Sequence, residues 1–200
     1  MSGGAIVLED AVGPRGHHRV DGAKVGMLIF LGAETMLFAG FIGAFLVFRL
    51  GAPVWPPPLQ PRLPVGVTAV STAVLLLSGY TMWRALRAAR DGDRAGLGRS
   101  LALTGLLGAT FLAVQGFEWA RLLTFGLTAP SGIYGGTFYT LVGAHAVHVL
   151  GALVWLSIIL IGTRSGPSAT PNQSRVLVFG MYWYFVVGLW PILYTLVYLA

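Results

Sequence analysis

Cysteine is absent from all 200 residues. That excludes disulfides, thiolate metal sites, iron–sulfur clusters and a cysteine-bridged binuclear copper centre from this chain. Charge is nearly as scarce. Charged residues make up 10% of the chain, against roughly 25% in an ordinary soluble protein, while 56% are hydrophobic and the mean hydropathy is +0.75. A composition with so little to offer water is that of an integral membrane protein. Acidic residues number only 7 against 13 basic ones, giving a net charge of +6. This excess does not indicate nucleic acid, because the basic residues flank apolar runs, where they set topology. Residues 1–24 are polar and glycine-rich and lack the apolar centre of a signal peptide, so they read as a cytoplasmic tail ahead of a retained first span.

What the chain has in abundance is apolar length. A membrane-spanning helix needs about 20 mostly apolar residues, and charge, proline and glycine divide the sequence into five such runs, at 25–49, 66–88, 100–124, 135–162 and 176–199. The fold class is therefore all-α, a polytopic bundle of five transmembrane helices occupying 25–200. With the N-terminus inside, the cytoplasmic segments hold Arg15, Arg19, Lys24, Arg84, Arg87, Arg90, Arg94, Arg99, Arg164 and Arg175, leaving Arg49, Arg62 and Arg121 outside. Basic residues in short loops favour the cytoplasm, which makes the chain N-in and C-out. The stretch GAPVWPPPLQPRLP (51–64) cannot continue a helix, since proline lacks the donor N–H and clashes with the preceding turn. RAARDGDRAGLGR (87–99) reads as a short charged loop and GTRSGPSATPNQSR (162–175) as a flexible one.

Polar groups within these runs are the candidates for function, because an ionisable side chain in hydrocarbon is costly. Glu34 lies near the middle of the first run, and His145 and His148 near the middle of the fourth. Glu118 has Arg121 at i+3, a spacing that lets them pair on one helix face. Counting outward from a turn centred near Pro130 also puts Glu118 level with His145, so a hydrogen bond between those two is a second expectation. Glu34 and Tyr184 fall nine and eight residues into runs of the same direction, which suggests that the phenol meets the carboxyl group. No metal set emerges: the remaining histidines, His17 and His18, lie in the tail, and zinc or copper needs more donors than one helix face supplies. Gly32, Gly40, Gly43, Gly105, Gly108, Gly143 and Gly151 fall at spacings that let helices approach closely. Trp55, Trp83, Trp119, Trp183 and Trp190 suit the interfaces where indole is favoured.

This polar pattern resembles subunit III of the haem-copper respiratory oxidases. KVGMLIFLGAETMLFAGFIGAFLVFR (24–49) is similar to the family's first shared helix with its buried glutamate, STAVLLLSGYTMWRAL (71–86) to its Ser/Thr-rich helix, and FLAVQGFEW (111–119) to its glutamine-to-glutamate motif. SGIYGGTFYTLVGAHAVHVLGALVWL (131–156) resembles the family's Tyr-Gly, Thr-Phe and His-x-x-His pattern, and YWYFVVGLWPILYTLVYL (182–199) its closing helix. The length matches the short five-helix bacterial form. Tyr184 and Val187 depart from the pattern, standing where the family usually has histidine and an acidic residue.

The resemblance implies an accessory subunit of a proton-translocating cytochrome c oxidase-type complex in the bacterial inner membrane, with no catalytic residue, haem or copper of its own. Haem and copper would belong to partner subunits. Its partners would be the catalytic subunit I, other oxidase subunits and membrane phospholipid, with Glu34 and Tyr184 as proton-related or lipid-pocket residues. Glu118, Arg121, His145 and His148 would form a structural polar network. The alternatives are a related accessory subunit of a nitric oxide reductase, or a small proton-coupled transporter using Glu34 and the histidines as a relay. Reporter fusions test the topology: a fusion after residue 200 should report the periplasm and one within 87–99 the cytoplasm, and reversed compartments would refute the assignment.

Overall fold

The computed structural model describes residues 22–55, 57, 63–164 and 173–199. The expectations for the tail and its His17 and His18, for most of the proline-rich connection and for the centre of the 162–175 loop lie outside the described residues. The described residues form five long helices: α1 (Gly22–Gly51), α2 (Val65–Asp91), α3 (Arg94–Thr124), α4 (Ile133–Arg164) and α5 (Gln173–Tyr194). All five are long and apolar enough to cross a membrane, and no strand occurs among the described residues. At ~1.5 Å per residue each exceeds a hydrocarbon core of roughly 30 Å.

Helix α5 is the most buried of the five and α1 the least. Helix α2 packs most extensively on α3, and α1, α2 and α4 all pack on α5. The reason lies in the residues of α5, which place Phe179, Trp183 and Trp190 in the core with almost no exposure. Two of the tryptophans read as interfacial, Trp183 and Trp190, are therefore core residues, Trp190 packed among α2, α3 and α4 and Trp183 against Gly108 of α3. Pro191 lies inside α5, and after Tyr194 the chain continues as one π-helical turn, Thr195–Leu199. A proline cannot donate to the preceding turn, and π-turns of this kind re-register a helix locally. Side chains take up carbonyls here: Thr195 Oγ1 donates to Pro191 O at 2.8 Å and Arg49 Nη1 from α1 to Leu196 O at 2.9 Å.

The charged stretch 87–99 is not a loop. Helix α2 runs to Asp91 and α3 begins at Arg94. Only Gly92 and Asp93 connect them, with Gly92 in the left-handed conformation at φ 73° and the Asp93 side chain accepting from the Gly96 N–H at 2.9 Å. Hydropathy marks where a helix leaves the bilayer, whereas a left-handed glycine and an N-cap aspartate mark where it ends. Of the seven glycines expected at close helix contacts, only Gly105 and Gly108 face neighbours, and Gly32, Gly40, Gly43, Gly143 and Gly151 look into open space.

A Cβ on Gly108 would lie 2.6 Å from Trp183 Cη2 and 3.2 Å from Leu153 Cδ2. Gly108→Val should therefore destabilise the bundle by about 1–3 kcal/mol through overpacking, whereas Gly43→Val should cost far less. Thermal unfolding of the two variants side by side in detergent checks the difference.

Candidate functional site in the membrane

Near the middle of α1, Glu34 Oε2 lies 2.8 Å from His148 Nε2 of α4, with both side chains largely buried. The second ring nitrogen, His148 Nδ1, donates to the Ala144 carbonyl at 2.7 Å, one turn back along α4. Because a carbonyl only accepts, Nδ1 carries a hydrogen, and the tautomer follows from the network. Nε2 is then the ring nitrogen left to hydrogen-bond with Oε2. Tyr182 of α5 donates its hydroxyl to His148 O at 3.3 Å. Phe38 packs edge-on against His148 at 5.1 Å, and Phe30 packs against Tyr182 at 5.9 Å. The aromatic rings above and below Glu34 on the same face of α1 thus shield the pair.

Of the three pairings read from the sequence, Glu118 with Arg121 forms and the other two do not. Tyr184 does not meet Glu34: it is 39% exposed and lies with Trp83, Arg87 and Arg90 between α2 and α5. The depth count was close, but two residues along a helix turn the side chain by about 200°, and Tyr182 faces α1 instead. Glu118 does not bond His145. Its Oε1 accepts from Arg121 Nη1 at 3.2 Å, an ion pair whose exposed arginine limits its worth to about 1 kcal/mol or less. The reason is the position of the turn. Trp119 packs on Tyr139 and Phe111 on His145, so α3 and α4 reflect about residues 128–129, and each residue of shift in that midpoint moves the partner by two. His145 and His148 also belong to different surroundings. The His145 ring is fully buried, stacked on Trp190 at 4.9 Å and edge-on to Phe111, and neither of its nitrogens has a hydrogen-bond partner among the described protein atoms.

A buried set of hydrogen bonds ties α2 to its neighbours. Gln115 Nε2 donates to Ser71 Oγ at 3.0 Å, Trp190 Nε1 to Thr72 Oγ1 at 2.8 Å, and Thr81 and Thr104 join their hydroxyls at 2.8 Å. The sequence signal was the run of hydroxyl residues on one face of α2, which includes Thr68, Ser71, Thr72, Ser78 and Thr81, all buried. No group of three or more potential metal-ligating side chains occurs among the described residues.

Residues 5–200 match the family model described as cytochrome c oxidase subunit III. The chain belongs to the cytochrome c oxidase subunit III family. It is 34% identical over 186 residues to cytochrome c oxidase subunit 3 of Synechocystis sp., covering 92% of this chain and 78% of that protein. The probable subunit 3 of Nocardia farcinica is 36% identical, with 90% and 89% covered, and that of Mycobacterium leprae 34%, with 96% and 95%. Subunit III is an accessory membrane subunit of a haem-copper oxidase, and the nitric oxide reductase and transporter readings are set aside.

The Glu34–His148 bond generates a direct test of helix association. Glu34→Ala and His148→Ala should each loosen α1, and the double variant should recover a coupling on the order of 1 kcal/mol, the size of an interhelical hydrogen bond in a bilayer. A double-mutant cycle on unfolding in mixed detergent measures it, and additive losses would show that the two side chains do not interact.

Proposed function

We propose that this chain works as the non-redox subunit III of a bacterial haem-copper oxidase in the inner membrane, N-in and C-out, bound to catalytic subunit I. There it stabilises the catalytic subunit, holds phospholipid and supports proton uptake during the reduction of oxygen to water. Haem and copper reside in the partner subunits. Membership of the subunit III family supports this reading, and the observation that carries the proton role is the 2.8 Å contact of Glu34 with His148. A carboxyl group and an imidazole sharing one proton inside the bilayer can accept or release it with little rearrangement, because the Ala144 carbonyl fixes the imidazole. Glu118 and Arg121 take a structural role near the opposite end of the bundle from the α2–α3 turn. His145 is a packing residue of the core.

Copurification tests the assignment. An affinity tag on this chain in native membranes should retain a larger haem protein, and a tagged chain that returns without haem would refute it. Within the assembled complex, Glu34→Gln keeps a donor for His148 Nε2 but cannot pass a proton. Assembly should therefore be unchanged while activity is lost severalfold faster during sustained turnover. His145→Ala should lower the yield of assembled complex with little change in activity per complex. The opposite pattern in the two variants would overturn the division of roles.

A further inference from the structure

Toward the α2–α3 turn, α2 and α5 diverge around a cavity of about 480 Å³ lined by Gly79, Trp83, Leu86, Arg87, Arg90 and Tyr184. A second cavity of about 260 Å³ shares Leu86 and Arg90 and adds Lys24 of α1 and the first turn of α5. The spacing of the α2 residues, at i+4 and i+3 steps, puts them on one helix face. The Arg87 guanidinium lies 4.7 Å over the Trp83 ring, which stacks in turn on Tyr80 at 5.7 Å. Neither Arg87 nor Arg90 pairs with a carboxylate among the described residues. The groove therefore has a cationic mouth, an aromatic collar and an apolar floor where Gly79 faces Val187.

We propose that this groove seats one anionic phospholipid from the leaflet bordering the α2–α3 turn, with its phosphate on Arg87 and Arg90 and an acyl chain along Leu86, Gly79 and Tyr184. It rests on the lipid-holding role proposed above and gives that role a place and a headgroup charge. Depth supports it. Arg87 and Arg90 lie within the last turn or so of α2, at headgroup level, and Gly79 is about 12–17 Å deeper at ~1.5 Å per residue, close to the half-thickness of a hydrocarbon core roughly 30 Å deep. Indole and guanidinium at the mouth match the side chains favoured at that interface, and basic recesses between membrane helices on one side of the bilayer suit anionic headgroups. Size argues against a partner helix. A helix about 10 Å across and about 17 Å long fills roughly 1,300 Å³, far more than the groove can take in.

The test uses the assembled oxidase, with haem content confirming assembly, reconstituted with trace spin-labelled phosphatidylglycerol or phosphatidylcholine. The unmodified complex should immobilise phosphatidylglycerol in excess of phosphatidylcholine, by about one lipid per complex, and raised ionic strength should shrink that excess. Arg87→Gln combined with Arg90→Gln should at least halve it at unchanged haem content. Gly79→Leu, which fills the floor and leaves both arginines in place, should do the same, whereas a site for a free anion would be indifferent to it and would yield to inorganic phosphate. An excess absent from the unmodified complex, insensitive to salt, unchanged in Gly79→Leu, or displaced by inorganic phosphate overturns the proposal. So does protection of Trp83 by a neighbouring subunit. Should the arginine variant fail to assemble, salt and Gly79→Leu still decide. A chain that does not copurify with haem at all would instead sink the functional reading on which the experiment stands.

Discussion

Helix α1 meets the bundle along a narrow seam, and the contact of Glu34 with His148 sits near the centre of that seam. The helix is the least buried of the five, and in hydrocarbon an apolar face gains little by leaving lipid for protein. A hydrogen-bonded pair gains more, since either partner alone would be an unsatisfied polar group in a medium without water. Phe38 and Phe45, both nearly fully buried, fix the depth at which α1 engages, and Arg49 ties its far end to the Leu196 carbonyl of α5. The contact proposed to serve proton uptake is thus also what attaches the helix bearing Glu34.

The remaining four helices hold together by a different means. Large rings from α5 fill the centre, and hydroxyl and amide side chains from α2 and α3 bond across it. These short groups bond to one another without a formal charge, which suits a core that excludes water. His145 belongs to this core by stacking rather than by hydrogen bonding, so two histidines one turn apart answer to separate demands. One is a flat ring packed against Trp190, and the other is the hydrogen-bonded partner of Glu34.

The end of the bundle at the α2–α3 turn is built for the membrane surface. Arginines cluster in the last turns of α2 and at the start of α3, the hairpin closes in two residues, and indole and phenol rings stand exposed beside them. A tight turn concentrates this charge instead of spreading it over a loop. That concentration lets two guanidinium groups face one groove.

Much of the architecture was legible in the sequence. Five apolar runs, the scarcity of charge and the absence of cysteine determined a five-helix membrane bundle without its own thiolate or cluster chemistry, and Glu34, Glu118, His145 and His148 stood out because ionisable groups are rare at that depth. The sequence did not determine who meets whom. Hydropathy reports whether a residue tolerates the bilayer, a property of distance along the helix axis. Partnership depends also on azimuth, which turns by about 100° per residue, and on turn midpoints, where an error of one residue moves a partner by two. Glu34 and His148 both lie near the middle of their helices, so their match in depth was open to counting, yet only the packed helices decided that His148 rather than Tyr184 faces the carboxyl group. The same rotation carried Tyr184 to the α2–α5 groove and brought Tyr182 to the pair, for a helix presents neighbouring residues to different surroundings and only tertiary packing settles which surroundings those are.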